Sequence, residues 1–61
     1  MSLALECTVE RETEKAILVV DAETGEKIWL PLSQVEKILR RTDGSAEVTM
    51  SDWIAGQKGL A

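Results

Sequence analysis

Pro31 is the only proline in this 61-residue chain, and it sits inside the stretch Lys27-Ile-Trp-Leu-Pro-Leu-Ser-Gln34. Proline offers a sheet no N–H and fixes its own φ, so a strand carrying Trp29 has to end at Pro31. The segments on either side are constrained by that stop. Before it lie the most apolar run and most of the acid; after it come a hairpin-like segment and a short amphipathic tail.

Leu3 to Val9 alternates strictly, with Leu3, Leu5, Cys7 and Val9 on one side and Ala4, Glu6 and Thr8 on the other. Period two is the pattern of a half-buried strand, and it puts Cys7 on the core face as a small hydrophobe. Arg11-Glu-Thr-Glu-Lys15 reads as a charged, solvated connector. Ala16-Ile-Leu-Val-Val20 is apolar on both faces and rich in β-branched residues, which predicts a central strand covered on both sides. Asp21-Ala-Glu-Thr-Gly25 has turn chemistry, so Ala16–Val20 is expected to pair antiparallel with Glu26–Leu30. On that third strand Trp29 faces away from Ile28 and Leu30. Its ring either caps a small core or stands on the surface beside Lys27, and both readings remain open.

Residues 33–41 carry two signals. Ser33-x-x-Glu36 fits a helical capping box, with Val35, Ile38 and Leu39 on one face. Against it, Asp43-Gly44 fits the centre of a two-residue hairpin loop, which would set Arg40 opposite Glu47 and Leu39 opposite Val48. We take Glu36–Arg41 and Ala46–Met50 as strands, with Ser33–Val35 a tight turn. Ser51 is placed to cap a two-turn helix that Gly59 stops, with Trp53 as its anchor on the sheet. The expected fold is mainly β: a small antiparallel curled sheet or partly open barrel of about five strands with a short C-terminal helix. The alternative is α+β, with 33–41 helical. The expected core is Leu3, Leu5, Val9, Ile17, Leu18, Val20, Ile28, Leu30, Leu39, Val48, Met50, Trp53 and Ile54.

So short a chain makes one small domain, and a domain of this size buries only about 60% of its unfolded surface. A lone Cys7 cannot form an internal disulfide, and without His there is no ordinary zinc site, so self-association is the remaining support. The unpaired cysteine, and the lack of a signal peptide or a long apolar run, lead us to expect a cytoplasmic protein with no membrane contact.

Lys15-Ala-Ile-Leu-Val19, then Glu26-Lys-Ile-Trp-Leu-Pro-Leu-Ser-Gln34, then Ser51-Asp-Trp-Ile-Ala-Gly-Gln-Lys-Gly-Leu60 resembles a group of small, uncharacterised bacteriophage and prophage proteins. Their pattern is roughly KAILV, WLPKSQ and W(L/I)A followed by KGL, and the likeness covers most of positions 12–60. It implies phage origin and an accessory role, and it contains no catalytic signature. Leu32 stands where the group often has lysine, which removes a positive charge beside Trp29.

The chain has no His, Tyr, cysteine pair or glycine-rich phosphate loop, so no enzyme activity, cofactor or metal is expected, and no small-molecule substrate is evident. Glu10, Glu12 and Glu14 are clustered, but on a charged segment without the apolar surroundings that raise a carboxylate pKa. Residues 1–26 hold seven acids against Arg11 and Lys15; residues 27–61 hold four acids against five bases. That imbalance disfavours a nucleic-acid coat. Single-stranded nucleic-acid binding on Trp29 and Trp53, with Lys27, Lys37, Arg40, Arg41 and Lys58 as bases, is the alternative function. The leading expectation is protein–protein interaction or self-association, with candidate residues Lys27, Trp29, Pro31, Ser33, Gln34, Arg40 and Lys58.

Overall fold

The computed structural model describes residues 2–60. Strands β1 (Ser2–Glu12), β2 (Ala16–Asp21), β3 (Lys27–Pro31), β4 (Val35–Arg40) and β5 (Ser45–Ser51) are followed by helix α1 (Asp52–Gln57). They form one antiparallel sheet in the order β3-β2-β1-β5-β4. The sheet is curled but open, since β3 and β4 are its two edges and do not pair. β1 is therefore the central strand, not Ala16–Val20. Its length decides this: Ser2–Thr8 pairs with β5 while Cys7–Glu12 pairs with β2.

One face carries the core. Cys7, Ile17, Val19, Ile28, Leu30, Val48 and Met50 are buried there beneath Ile54 and Ala55 of α1. Leu3, Leu5, Val9, Leu32, Val35, Ile38 and Leu60 close its margins. Leu18 and Val20, expected in the core, alternate with Ile17 and Val19 and so lie half-buried on the opposite face. No second layer covers that face among the described residues.

Two β-bulges bend the sheet. The first, between Val9 and Arg11, sets Arg11 opposite Leu18 and Glu12 opposite Ile17. Arg11 and Glu12 thus belong to β1, and the connector shrinks to Thr13–Lys15, where the Thr13 hydroxyl accepts from the Ala16 N–H at 3.1 Å. An extra residue on one strand flips the side-chain parity beyond it and increases the twist. The second bulge, between Val35 and Lys37, sets Val35 opposite Met50 and Ile38 opposite Val48. Two inward residues three apart, which resemble a helical face, are here one bulged strand. The 3-10 turn Leu32–Gln34 precedes it.

The β4–β5 hairpin differs from expectation by one residue. The pairs are Arg40 with Ala46, Leu39 with Glu47 and Ile38 with Val48. Arg41 donates its N–H to the Ser45 carbonyl at 3.0 Å, so the loop has three residues, and Gly44 takes φ +94°. A three-residue loop ending in a left-handed glycine is a common hairpin closure. It brings Ile38 and Val48 to the core face together and turns Leu39 out to 46% exposure.

At the C-terminal end the Ser51 hydroxyl accepts from the Ile54 N–H at 3.4 Å and donates to the Gln34 side-chain carbonyl at 2.6 Å. The helix closes with Leu60 N–H to Ala55 carbonyl at 2.8 Å and Gly59 N–H to Gly56 carbonyl at 3.2 Å. Those two bonds, with Gly59 at φ +73°, are a Schellman cap, and Leu60 beyond it reaches the core margin. Trp53 is 62% exposed and does not anchor the helix; Ile54 and Ala55 do.

Candidate interaction surface

β3 is an edge strand, and its register shows which backbone groups it leaves unused. Asp21 N–H bonds the Glu26 carbonyl at 2.9 Å and Leu32 N–H bonds the Lys15 carbonyl at 2.8 Å. Between those bonds the pairs run Val20–Lys27, Val19–Ile28, Leu18–Trp29, Ile17–Leu30 and Ala16–Pro31. Antiparallel pairs alternate between bonded and non-bonded, so Ile28 and Leu30 spend their backbone groups on β2. Lys27, Trp29 and Pro31 turn theirs to the open side, where Pro31 has a carbonyl but no N–H.

The same three side chains lie on the face opposite the core. Trp29 stands there 43% exposed, so the ring does not cap the core. Its register partner is Leu18, and Val20 follows beside Lys27. Non-bonded antiparallel pairs bring side chains closest, so Trp29, Leu18 and Val20 form an apolar strip open to solvent. Lys27 borders it, its Nζ 3.0 Å from Glu10 Oε1.

Two shallow recesses flank β3. One, of about 330 Å3, is lined by Glu26, Lys27, Ile28, Trp29 and Lys58. The other, of about 430 Å3, is lined by Glu14, Lys15, Pro31, Leu32 and Ser33. The fold thus gathers Lys27, Trp29, Pro31, Ser33 and Lys58 along one edge. It does not gather the other two candidates. Gln34 is half-buried and holds Ser51, while Arg40 lies on the far edge strand, paired with Glu12. Leu18 and Val20 belong to this surface instead, and the period-two parity of β2 was the signal for them.

A second set of charges is organised around β1. Glu6 and Glu47 face each other as register partners. Arg41 stands beside both, with a two-pronged pair to Glu6 at 2.7 and 2.9 Å and Glu47 at 4.0 Å. The Arg41 hydrogen bonds hold the Glu6 carboxyl below the usual carboxylate range, and the same pairing raises Arg41. Side-chain and backbone bonds from Ser45 lower Asp43, while burial pushes the Cys7 thiol up, away from nucleophilic chemistry. Because the folded-state pKa of Glu6 is depressed, its contribution is present above the unfolded value near 4.5 and is lost as pH falls through the lower folded value. Urea midpoints measured from neutral to acid pH should therefore drop more steeply for the native chain than for Arg41→Gln. Parallel curves would refute this role for the pair.

Lys27, Arg40 and Arg41 each hold a β1 carboxylate, namely Glu10, Glu12 and Glu6. Lys37 is on β4 and Lys58 lies beyond α1. The five bases of the second half therefore do not make a continuous basic track. Among the described residues no group of three or more His, Cys, Asp or Glu side chains is arranged to hold a metal ion, and no helix is long and apolar enough to cross a membrane. Comparison of the chain with protein-family models, curated proteins and solved structures returns no match.

Proposed function

We propose that this chain is a non-enzymatic accessory protein of the phage or prophage kind, acting through protein–protein interaction at the β3 edge and the adjoining outer face. The observation that carries this reading is Trp29. A tryptophan 43% exposed, opposite Leu18 and on a strand with unused backbone groups, is the kind of residue that anchors an interface. The backbone of an edge strand adds a second mode of attachment, because an extended segment of another protein can pair with it. Single-stranded nucleic acid is the weaker reading. It draws on the same ring and Lys27, but Glu10 already neutralises that lysine, and the neighbouring acids repel phosphate.

The test is retention of a partner from bacterial lysate by immobilised chain, compared with Trp29→Ala and Trp53→Ala. One protein held in stoichiometric amount by the native chain and by Trp53→Ala, but lost with Trp29→Ala, is the expected result. A short single-stranded DNA that saturably quenches tryptophan fluorescence, with salt reversing it, would replace this reading with the nucleic-acid one.

A further inference from the structure

We propose that the β3 edge pairs with the β3 edge of a second copy of this chain, across a two-fold axis at Ile28, to give one continuous sheet. This deepens the interaction reading above and rests on it.

The argument begins with the unused backbone groups. Each β3 turns outward the N–H and carbonyl of Lys27 and Trp29, and the carbonyl alone of Pro31. Set two such strands antiparallel with Lys27 opposite Trp29 of the other copy. Each copy then donates two N–H groups and accepts two, and all the outward groups of both residues are satisfied. Pro31, which has no N–H to give, falls just outside the ladder. Shifting the register to put Trp29 opposite Trp29 brings Lys27 opposite Pro31 and leaves the Lys27 carbonyl without a donor. The complete ladder belongs to the first register.

Side chains agree with the backbone. Lys27 and Trp29 are two apart and share the outer face, so that register lays each tryptophan ring beside the ammonium-bearing chain of the other copy. With its ammonium on Glu10, Lys27 lays its aliphatic stem along the indole, and one five-residue strand supplies both halves of the contact. The Leu18–Trp29 row of each copy then runs on into the Lys27–Val20 row of the other. The recess beside Glu26, Lys27, Ile28 and Trp29 is space that no element among the described residues fills.

The assembly also stops at two. The outer edges of the joined sheet are both β4, which is bulged between Val35 and Lys37 and studded with Glu36, Lys37 and Arg40. Bulges and charges are what keep an edge from pairing further. A two-fold pairing uses the same patch on both copies and closes on itself. It also supplies extra buried surface to a small domain with no disulfide.

The experiment combines sedimentation equilibrium with residue-resolved amide exchange on the purified chain. We expect twice the mass of one chain, with the amides of Lys27 and Trp29 protected alongside those of Ile28 and Leu30. On dilution to monomer only Lys27 and Trp29 should lose protection, because Ile28 and Leu30 bond within the chain. Lys27→Pro removes one outward N–H and no bond of the β2–β3 ladder, so it should yield a monomer whose Ile28 and Leu30 amides stay protected. A monomer at every concentration overturns the pairing, as does a dimer whose Lys27 and Trp29 amides exchange freely. Both measurements use the chain alone, so their failure is separable from failure to retain a partner from lysate.

Discussion

Leu30→Ala lowers the stability of the protein by roughly 3–5 kcal/mol, the range for deleting a fully buried leucine side chain when the cavity cannot collapse. Leu30 is completely enclosed between its β2 partner Ile17 and the rest of the core. At about 0.05–0.15 kcal/mol per residue, a chain of this length has only roughly 3–9 kcal/mol in total. The variant should therefore lose at least about a third of its stability, read as a lowered urea midpoint by circular dichroism. Leu39→Ala is the matched control, since residue type is the same but the side chain is 46% exposed. Its cost should stay near 0.5 kcal/mol, as for most surface substitutions. Equal losses from the two would mean that the β4–β5 register is wrong by one residue.

The second large effect is at the helix. Ile54→Ala should cost about 2–4 kcal/mol, because Ile54 is 4% exposed and, with Ala55, holds α1 on the sheet. A helix of six residues has no stability of its own, so once undocked it unwinds. Loss of helical ellipticity together with a lowered urea midpoint is the expected signature. Trp53→Ala, at the position beside it, should cost less than about 1 kcal/mol, since its ring is 62% exposed. If Trp53→Ala proved the more damaging of the two, the helix would have to be rotated from the orientation described here.

These pairs mark where sequence reasoning succeeded and where it stopped. Strand identity was legible because period two is a local signal: Leu3, Leu5, Cys7 and Val9 all face the core side, and so do Ile28 and Leu30. The Ser51 cap and the Gly59 stop were equally local, being set by side-chain chemistry and a positive φ within a few residues. Trp53 lies outside the core because the buried arc of α1 is taken by Ile54 and Ala55, so of the apolar pair 53 and 54 only one falls within it. Apolar character alone does not say which one does. Leu18 and Val20 read as core residues for a similar reason, since a strand apolar on both faces says that cover is wanted but not what provides it.

Bulges account for the rest. The Val35 and Ile38 spacing of three mimicked a helix because one extra residue in β4 restored inward parity. The extra residue in β1 separated Glu10, which pairs with Lys27, from Glu12, which pairs with Arg40, and so dispersed an apparent acidic cluster. The interaction candidates divided on the same basis. Lys27, Trp29, Pro31, Ser33 and Lys58 meet along β3, whereas Arg40 is removed to the opposite edge by the strand order.

By itself, then, the sequence determined a mainly β chain, the positions of its turns to within a residue or two, its helix cap and the inward side of β3 and β5, because those depend on neighbours within a few residues. Only the tertiary structure decided that β1 is central, that β3 is an open edge, and that Trp29 faces solvent beside Leu18. Strand order and register depend on pairings across the chain, and each is selected by how many inward side chains can be buried at once.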